Sequence, residues 1–349
     1  MDARSITAVI RGWRWSRYLY LAAAGAVVAG CWVTLSAVDV RRALRAVAGI
    51  DAAGLVLLIA VNVGILASMS LRWHLMLRRL GRPVSLIQLA LCRIAANSIS
   101  YLTPGPQFGG EPFQIHYLVR FHGSPVAAAT ASVTTDRMIE LLGNFLFLAV
   151  GSAFAIHHRA SWEGPVWLTG AALVSVMVTV AVYLCLLWAG AAPLSGVMGR
   201  VYSKHDPHCR RAVFSAWLGA VESNATRILR QPFSVLAGYA LVALFHWIGI
   251  LGELWLIYAV LGLPLGGWAL LSLAVAARLA FLMPIPGALG ALEASQMVAL
   301  YGLGMEPAIG LAACLIMRAR DLILVASGSG LAAFWFCRGA DSSADPDRP

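Results

Sequence analysis

Runs of about 20 apolar residues recur along this chain, and each is long enough to cross a bilayer as a helix. Six such runs are predicted to be full spans, at about residues 18–38, 53–78, 126–156, 164–190, 232–261 and 307–336. Two more regions, 84–122 and 266–304, are apolar but interrupted by proline and glycine. Non-helical backbone survives at membrane depth only where protein buries it or water lines it. Each interrupted region is therefore predicted to be re-entrant, with two short helices meeting at a broken turn.

Composition supports the same fold class. Of the 349 residues, 60% are hydrophobic and only 12% are charged, whereas a soluble domain carries roughly 25% charged residues. The pattern and the composition together predict an all-α, polytopic integral membrane protein. The net charge of +10 comes from 26 lysines and arginines against 16 acidic residues. These basic residues lie mainly between the apolar runs, as in cytoplasmic loops that face anionic lipid, so no nucleic-acid partner is predicted.

Basic residues also orient the chain, because cytoplasmic loops carry an excess of lysine and arginine. Their positions place both termini in the cytoplasm if each interrupted region enters and leaves by the same face. The stretch 191–231 is then a cytoplasmic linker, and 339–349 is a disordered tail. The N-terminal run resembles a signal sequence with "VAGC" at 28–31, but it continues past Cys31. An uncleaved first helix is predicted, with cleavage or lipidation as the alternative.

An internal repeat divides the single transmembrane domain, 1–349, into a first repeat at 53–190 and a second at 232–338. "LRRLGRP" (77–83) resembles "YAVLGLP" (258–264), and "AANSISYLTPGPQFGGEPF" (95–113) resembles "VAARLAFLMPIPGALGALEA" (275–294). Combined with the predicted orientation, the second copy is upside down relative to the first. Inverted repeats with broken helices that meet near the midplane are a recurring transporter design.

Ionisable residues lie within two of the predicted spans, where each costs roughly 2.5–3.5 kcal/mol at a helix centre. Both spans pair an arginine with a carboxylate three residues later, on the same helical face. The residues are Arg137 with Glu140 and Arg318 with Asp321, and Asp136 and Arg320 add a second pair. Two interpretations stand. The pairs hold the two halves together, or they line a cavity for a charged headgroup in which arginine binds phosphate.

Glutamates close both interrupted motifs, at Glu111 and Glu293. They are either proton or cation sites, or acceptors for the backbone donors of the broken turns. Arg72 and Glu253 occupy corresponding positions of the two copies and are weaker candidates.

His246, Trp247 and Trp255 are interpreted as packing or membrane-interface residues. The sequence contains no catalytic triad, Walker loop, dinucleotide fingerprint or His-rich metal site, so no catalytic residue, metal or cofactor is predicted.

Four segments carry a family resemblance: "SLRWHLMLRRLG", "AANSISYLTPGPQFGGEPFQ", "TDRMIELLG" and "FLMPIPGALGALEA". They resemble, in order and spacing, the flippase-like transmembrane domain of lysylphosphatidylglycerol synthases. The resemblance covers about residues 15–338. The motif residues that carry over are Asn97, Pro104, Gly105, Gly109, Gly110 and Glu111, and then Pro284, Pro286, Gly287, Gly290 and Glu293.

The resemblance implies movement of lipid between leaflets. In those synthases, aminoacyl transfer belongs to a separate soluble domain for which this chain has no room, so the chain is expected not to be an enzyme. The family also includes stand-alone members, some associated with hopanoid or glycolipid pathways, which implies lipid-biosynthesis enzymes as partners.

These observations predict a lipid flippase or scramblase-like transporter in a bacterial cytoplasmic membrane, with membrane lipids as substrates and without ATP. An ion gradient acting through Glu111, Glu293 or Asp136 is one energy source. The alternatives are a secondary transporter of a small soluble anion, and a membrane enzyme or accessory subunit of a lipid-modifying complex. The sequence leaves the oligomeric state open.

Overall fold

Helices account for all regular secondary structure in the residues that the computed structural model describes: 45, 47–103, 109–157, 166–202, 210–283 and 285–341. The predicted first span at 18–38, residues 342–349 of the predicted tail at 339–349, and the turn residues Pro104, Gly105 and Pro284 lie outside them, whereas residues 339–341 of that tail are helical. The α-helices of the described part are α1 (Ala52–Arg79), α2 (Leu86–Leu102), α3 (Glu111–His122), α4 (Val126–His157), α5 (Val166–Trp188), α6 (Pro193–Tyr202), α7 (Arg210–Leu229), α8 (Phe233–Val260), α9 (Gly267–Phe281), α10 (Ala291–Gly302) and α11 (Pro307–Asp341). The all-α prediction is confirmed.

Two four-helix units make up most of this structure. Helices α1–α4, the first unit, recur in the same order as α8–α11, the second unit. Corresponding helices begin at Ala52 and Phe233, Leu86 and Gly267, Glu111 and Ala291, and Val126 and Pro307. Within each unit the first helix contacts the second and fourth, and the third contacts the second and fourth. Helices α5, α6 and α7 lie between the units in sequence, and α7 packs against α4 and α5.

The units have opposite orientations, as the packing of α1 on α8 shows. A Cβ atom at Gly54 would lie 2.8 Å from Val260 Cγ1, and one at Gly249 would lie 2.8 Å from Ile65 Cγ1. The contact point thus moves backward along α8 as it moves forward along α1, so the two helices are antiparallel. Because α1 and α8 are equivalent members of their units, the second unit is inverted relative to the first.

Helices α2 and α3 form a re-entrant pair, the first hairpin. One core cluster contains Leu89, Cys92 and Ala96 of α2 together with Phe113 and Tyr117 of α3. Helix α3 therefore runs back along α2, and the chain enters and leaves at the same end of the bundle. The helices meet closely at Gly110, where a Cβ atom would lie 2.2 Å from the carbonyl oxygen of Ala96.

Helices α9 and α10 form the second hairpin, with a 3₁₀ turn at Pro286–Ala288 between them. Gln296 of α10 accepts a hydrogen bond from the Tyr258 hydroxyl at 2.9 Å and donates to the carbonyl oxygen of Leu273 in α9 at 3.0 Å. Because α1 and α8 are antiparallel, the two hairpins enter the bundle from opposite ends.

Apolar side chains cover the outside of the central helices. Within the described residues, α1 and α8 are the helices both long and apolar enough to cross a membrane. Val56 and Val63 of α1 and Leu241 and Phe245 of α8 are all more than half exposed, as expected of surfaces that contact lipid. The predicted spans at 126–156, 164–190 and 307–336 coincide with α4, α5 and α11.

Candidate functional site

Asp136 lies in a closed ion-pair cluster that joins α1, α2 and α4. Its Oδ1 accepts from Arg72 Nε at 2.6 Å, and its Oδ2 accepts from the Arg93 guanidinium, which lies over the Trp73 ring at 5.1 Å from the ring centroid. All of these side chains are buried. Each carboxylate oxygen already accepts from an arginine, and protein encloses the group. The arrangement therefore holds three helices of the first unit together.

Arg137, the next residue, connects α4 to the first broken turn. Its guanidinium lies 3.2 Å from Glu111 Oε1 and 3.0 Å from Glu140 Oε2. The second oxygen of Glu111 accepts a hydrogen bond from the backbone N–H of Gly109 at 2.8 Å. Glu111 thus accepts from a turn donor and forms an ion pair with an arginine.

Arg318 makes the equivalent connection in the second unit. Its Nε lies 2.7 Å from Glu293 Oε1 and its Nη2 lies 3.1 Å from Glu293 Oε2. Glu293 Oε2 in turn accepts from the backbone N–H of Gly290 at 2.8 Å. Asp321 lies farther away, at 3.9 Å from Arg318 Nη1. Both glutamates therefore accept from turn donors, which is the second of the two sequence-based interpretations, and a role as proton sites stays a prediction.

Arg318 also bridges the two units. It donates to the carbonyl oxygens of Gly287 at 2.6 Å and Ala288 at 3.1 Å, and to the hydroxyl of Tyr101, in α2, at 2.9 Å. Gly287 packs against that same tyrosine, because a Cβ atom there would lie 2.5 Å from Tyr101 Cζ, and its φ of 56° also favours glycine. The second broken turn is thereby held against the first unit.

A last ion pair joins α8 to α11. The Arg320 guanidinium contacts Glu253 and lies 2.8 Å from Asp321 Oδ1, and Asn62 of α1 donates to Glu253 at 3.0 Å. Arg72 and Glu253 occupy equivalent positions of the two units. An ion pair therefore joins the first and fourth helices of each unit, with the arginine on the first helix in one unit and on the fourth helix in the other. Asn97, a predicted site residue, is exposed and takes no part in these clusters.

A small cavity of about 60 Å³, partly open to the surroundings, lies among α4, α8 and α9. Its polar and aromatic lining comprises Arg137, Glu140, Asn144, His246, Trp247 and Arg278. Helix α4 belongs to the first unit and α8 and α9 to the second, so the cavity lies between the inverted units.

Arg278 is the unusual member of this lining. Its guanidinium carbon lies 5.0 Å from the ring centroid of Trp247, and no carboxylate of the described residues lies within 4.0 Å of it. Asn144 Oδ1 and His246 Nδ1 are buried and accept or donate no hydrogen bond in the described part of the chain. The cavity lining therefore includes a cation with no carboxylate contact and two buried polar atoms that lack hydrogen-bond partners among the described residues.

Sequence reasoning did not select Arg278 or Arg93, and it interpreted His246 and Trp247 as packing or membrane-interface residues. One signal was available: both arginines interrupt apolar half-helices, where an unpaired charge is costly. Only the tertiary structure distinguishes the two arginines, because Arg93 pairs with Asp136 whereas Arg278 lines the cavity.

Comparison with known proteins agrees with this architecture. Residues 19–328 match the family model described as the lysylphosphatidylglycerol synthase TM region. The chain belongs to this family. The predicted resemblance is thus confirmed. The chain is an all-α membrane protein of the lysylphosphatidylglycerol synthase TM family.

Two similar proteins, both described as UPF0104 membrane proteins, show how much of the chain the similarity covers. A UPF0104 membrane protein of Methanothermobacter thermautotrophicus is 25% identical over 279 residues, which cover 77% of this chain and 81% of the relative. A second match to a UPF0104 membrane protein of that organism is 30% identical over 147 residues, covering 42% of this chain and 40% of the relative. Because the first match covers 77% of this chain, it reaches into both inverted units.

Proposed function

We propose that this protein moves a lipid with a polar or anionic headgroup between the two leaflets of a membrane, without ATP. The observation that carries the proposal is the partly polar cavity between two inverted units, each with a broken hairpin. Transporters built from inverted repeats and discontinuous helices bind their substrates at the interface between the repeats.

The lining of the cavity suits an amphipathic substrate. Polar groups of Arg137, Glu140 and Arg278 share the cavity with the apolar side chains of Leu141 and Phe281. A charged headgroup pays a large desolvation cost in hydrocarbon. A path past fixed charges lowers that cost, while acyl chains remain against the apolar outer faces of the helices.

The basic end of the bundle is proposed to face the cytoplasm of a bacterial cell. Arg79 at the end of α1, Arg82 in the next loop, and Arg227 and Arg230 near the end of α7 lie there, whereas the opposite end carries Asp51 together with Arg45 before α1. The positive-inside rule then places the end of α11, and the C-terminus beyond it, on the cytoplasmic side. The N-terminus is proposed to lie on that side as well.

Reconstitution tests the proposal directly. Purified protein in liposomes with a trace of headgroup-labelled lipid is expected to expose inner-leaflet label to an impermeant quencher faster than protein-free liposomes do. No acceleration across several lipid classes would refute lipid translocation. Uptake of a labelled soluble anion without lipid movement would instead support the small-anion alternative. Incubation with phosphatidylglycerol and aminoacyl-tRNA is expected to give no aminoacylated lipid, since we propose that this chain does not catalyse that transfer.

A further inference from the structure

We propose that the cavity among α4, α8 and α9 is a headgroup site for a phosphate diester that carries a hydrogen-bond donor. Arg278 binds the phosphate, and Glu140 and Asn144 accept hydrogen bonds from an ammonium or hydroxyl group of the same headgroup. The assignment rests on the proposed function for its lipid setting, and it adds the substrate class and the residues that select it.

Arg278 is suited to the anion because nothing else in the described residues neutralises it by contact. Arg137, the other arginine of the cavity, is already shared by Glu111 and Glu140. The Arg278 guanidinium carbon lies over the Trp247 ring, 5.0 Å from its centroid, and this contact orients the group. A guanidinium edge matches two oxygens of a phosphate, with two parallel hydrogen bonds.

Glu140 and Asn144 supply acceptor oxygens to the cavity. Glu140 binds Arg137 through Oε2 only, and its Oε1 makes no hydrogen bond in the described part of the chain. Asn144 lies one helical turn further along α4, on the same face, with its Oδ1 buried and unpartnered. His246 also lines the cavity and is only 5% exposed, and its Nδ1 has no hydrogen-bond partner among the described residues. Buried polar atoms normally have partners, so these atoms indicate a ligand that donates hydrogen bonds next to its anion.

The inverted repeat provides one such site and not two. The positions equivalent to Arg278 and His246 in the first unit are Ser98, 180 residues earlier, and Ile65, 181 residues earlier. In that unit Tyr101 reaches Arg318 across the interface instead. The corresponding region of the first unit therefore lacks both the arginine and the histidine. We infer that only the side of the interface formed by α8 and α9 selects the headgroup.

Short-chain lipids with different headgroups test the assignment on the purified full chain in detergent. Dihexanoyl phosphatidylethanolamine and phosphatidylglycerol have donors beside the phosphate, whereas the trimethylated headgroup of phosphatidylcholine has the phosphate and no N–H or O–H. We expect the first two to bind at least about tenfold more tightly than phosphatidylcholine, the equivalent of one good hydrogen bond to a charged group. Equal affinity for all three would overturn the donor requirement.

Three variants assign the residues. Arg278→Gln is expected to lower the affinity for all three lipids by about tenfold or more. Asn144→Leu is expected to lower the affinity for the two donor-bearing lipids toward that for phosphatidylcholine, and to leave the affinity for phosphatidylcholine unchanged. Arg227→Gln, an exposed arginine at the end of α7, is the matched control and is expected to bind as wild type. Wild-type affinity of Arg278→Gln would overturn the phosphate assignment. Selectivity within one variant does not depend on its stability, so the Asn144→Leu comparison stands even if that protein is less stable.

Two further experiments distinguish a lipid from a soluble phosphate as the ligand, and the proposed site from the proposed function. Glycerophosphoethanolamine and inorganic phosphate are expected to bind more weakly than the lipids, and equal binding would identify a soluble phosphate as the ligand and overturn the lipid assignment. Selective lipid binding without translocation in liposomes would refute the proposed function and support this site. Translocation with the same headgroup preference in Asn144→Leu as in wild type would refute the site and support the function.

Discussion

Replacing Arg318 with methionine is expected to destabilise the protein by about 3–5 kcal/mol, because removing one partner of a buried ion pair leaves the other charge uncompensated. The Arg318 and Glu293 side chains are only 11% and 13% exposed, so solvent screens the pair little. The arginine also donates to Gly287 O, Ala288 O and the Tyr101 hydroxyl at 2.6–3.1 Å. Each acceptor left unsatisfied adds about 1–3 kcal/mol at most, and these costs overlap.

A double variant separates the ion pair from the organisation of the turn. Replacing both charges, as in Arg318→Met with Glu293→Leu, is often neutral when a pair acts alone. Here we expect a loss of at least about 2 kcal/mol to remain, because the turn carbonyls and the Gly290 N–H still lack partners.

Equilibrium unfolding in mixed micelles, followed by tryptophan fluorescence, measures both variants beside wild type and the exposed-site control Arg227→Gln. Wild-type stability of the double variant would refute the reasoning, since it would mean that Arg318 contributes nothing to the second broken turn beyond its pairing with Glu293.

Three other predictions concern the first unit and the inversion. Asp136→Asn is expected to cost about 3–5 kcal/mol in the same unfolding assay, because two buried guanidinium groups lose their shared carboxylate. Single cysteines introduced as Arg82→Cys and Gly266→Cys, in a cysteine-free background, are expected to react with an impermeant maleimide from opposite faces of the membrane, because the two hairpins enter from opposite ends. Gly110→Ala is expected to lower stability by about 1–3 kcal/mol, since the new methyl group would lie 2.2 Å from the Ala96 carbonyl oxygen.

Each of these has a clear contrary result. Labelling of both cysteines from the same face would rule out the inverted arrangement. An Asp136→Asn protein as stable as wild type would show that the two arginines do not depend on the carboxylate. A neutral Gly110→Ala would mean that the first hairpin is packed less closely than the structure shows, and Gly64→Ala, at an open helical position, is its control.

Much of the architecture could be predicted from local pattern, because bilayer thickness and backbone hydrogen bonding dictate it. Apolar length predicted helices at 53–78 and 232–261, and the structure has them at Ala52–Arg79 and Phe233–Val260. The prolines and glycines of the two interrupted regions predicted breaks, and α2 ends at Leu102 while α9 ends at Phe281, just before them. The i, i+3 spacing predicted the Arg137–Glu140 contact, which is made at 3.0 Å.

The partners of the other charges could not be predicted, because they come from helices distant in the chain. Asp136 appeared in the sequence as a candidate for substrate or proton binding, yet Arg72 and Arg93 enclose it. Arg278 and Arg93 look alike in sequence, each a lone arginine in an apolar half-helix. Their difference depends on which helix packs against them.

The sequence by itself determined that this chain forms apolar helices in two related halves, with two backbone breaks and a small set of costly interior charges, because those properties follow from residue type and spacing. Only the tertiary structure decided which charges neutralise one another and which remain available. Electrostatic pairing depends on distances of a few ångströms between side chains, and the antiparallel packing of the two units sets those distances. That packing joins Arg318 to the broken turn and leaves Arg278 facing a cavity between the halves.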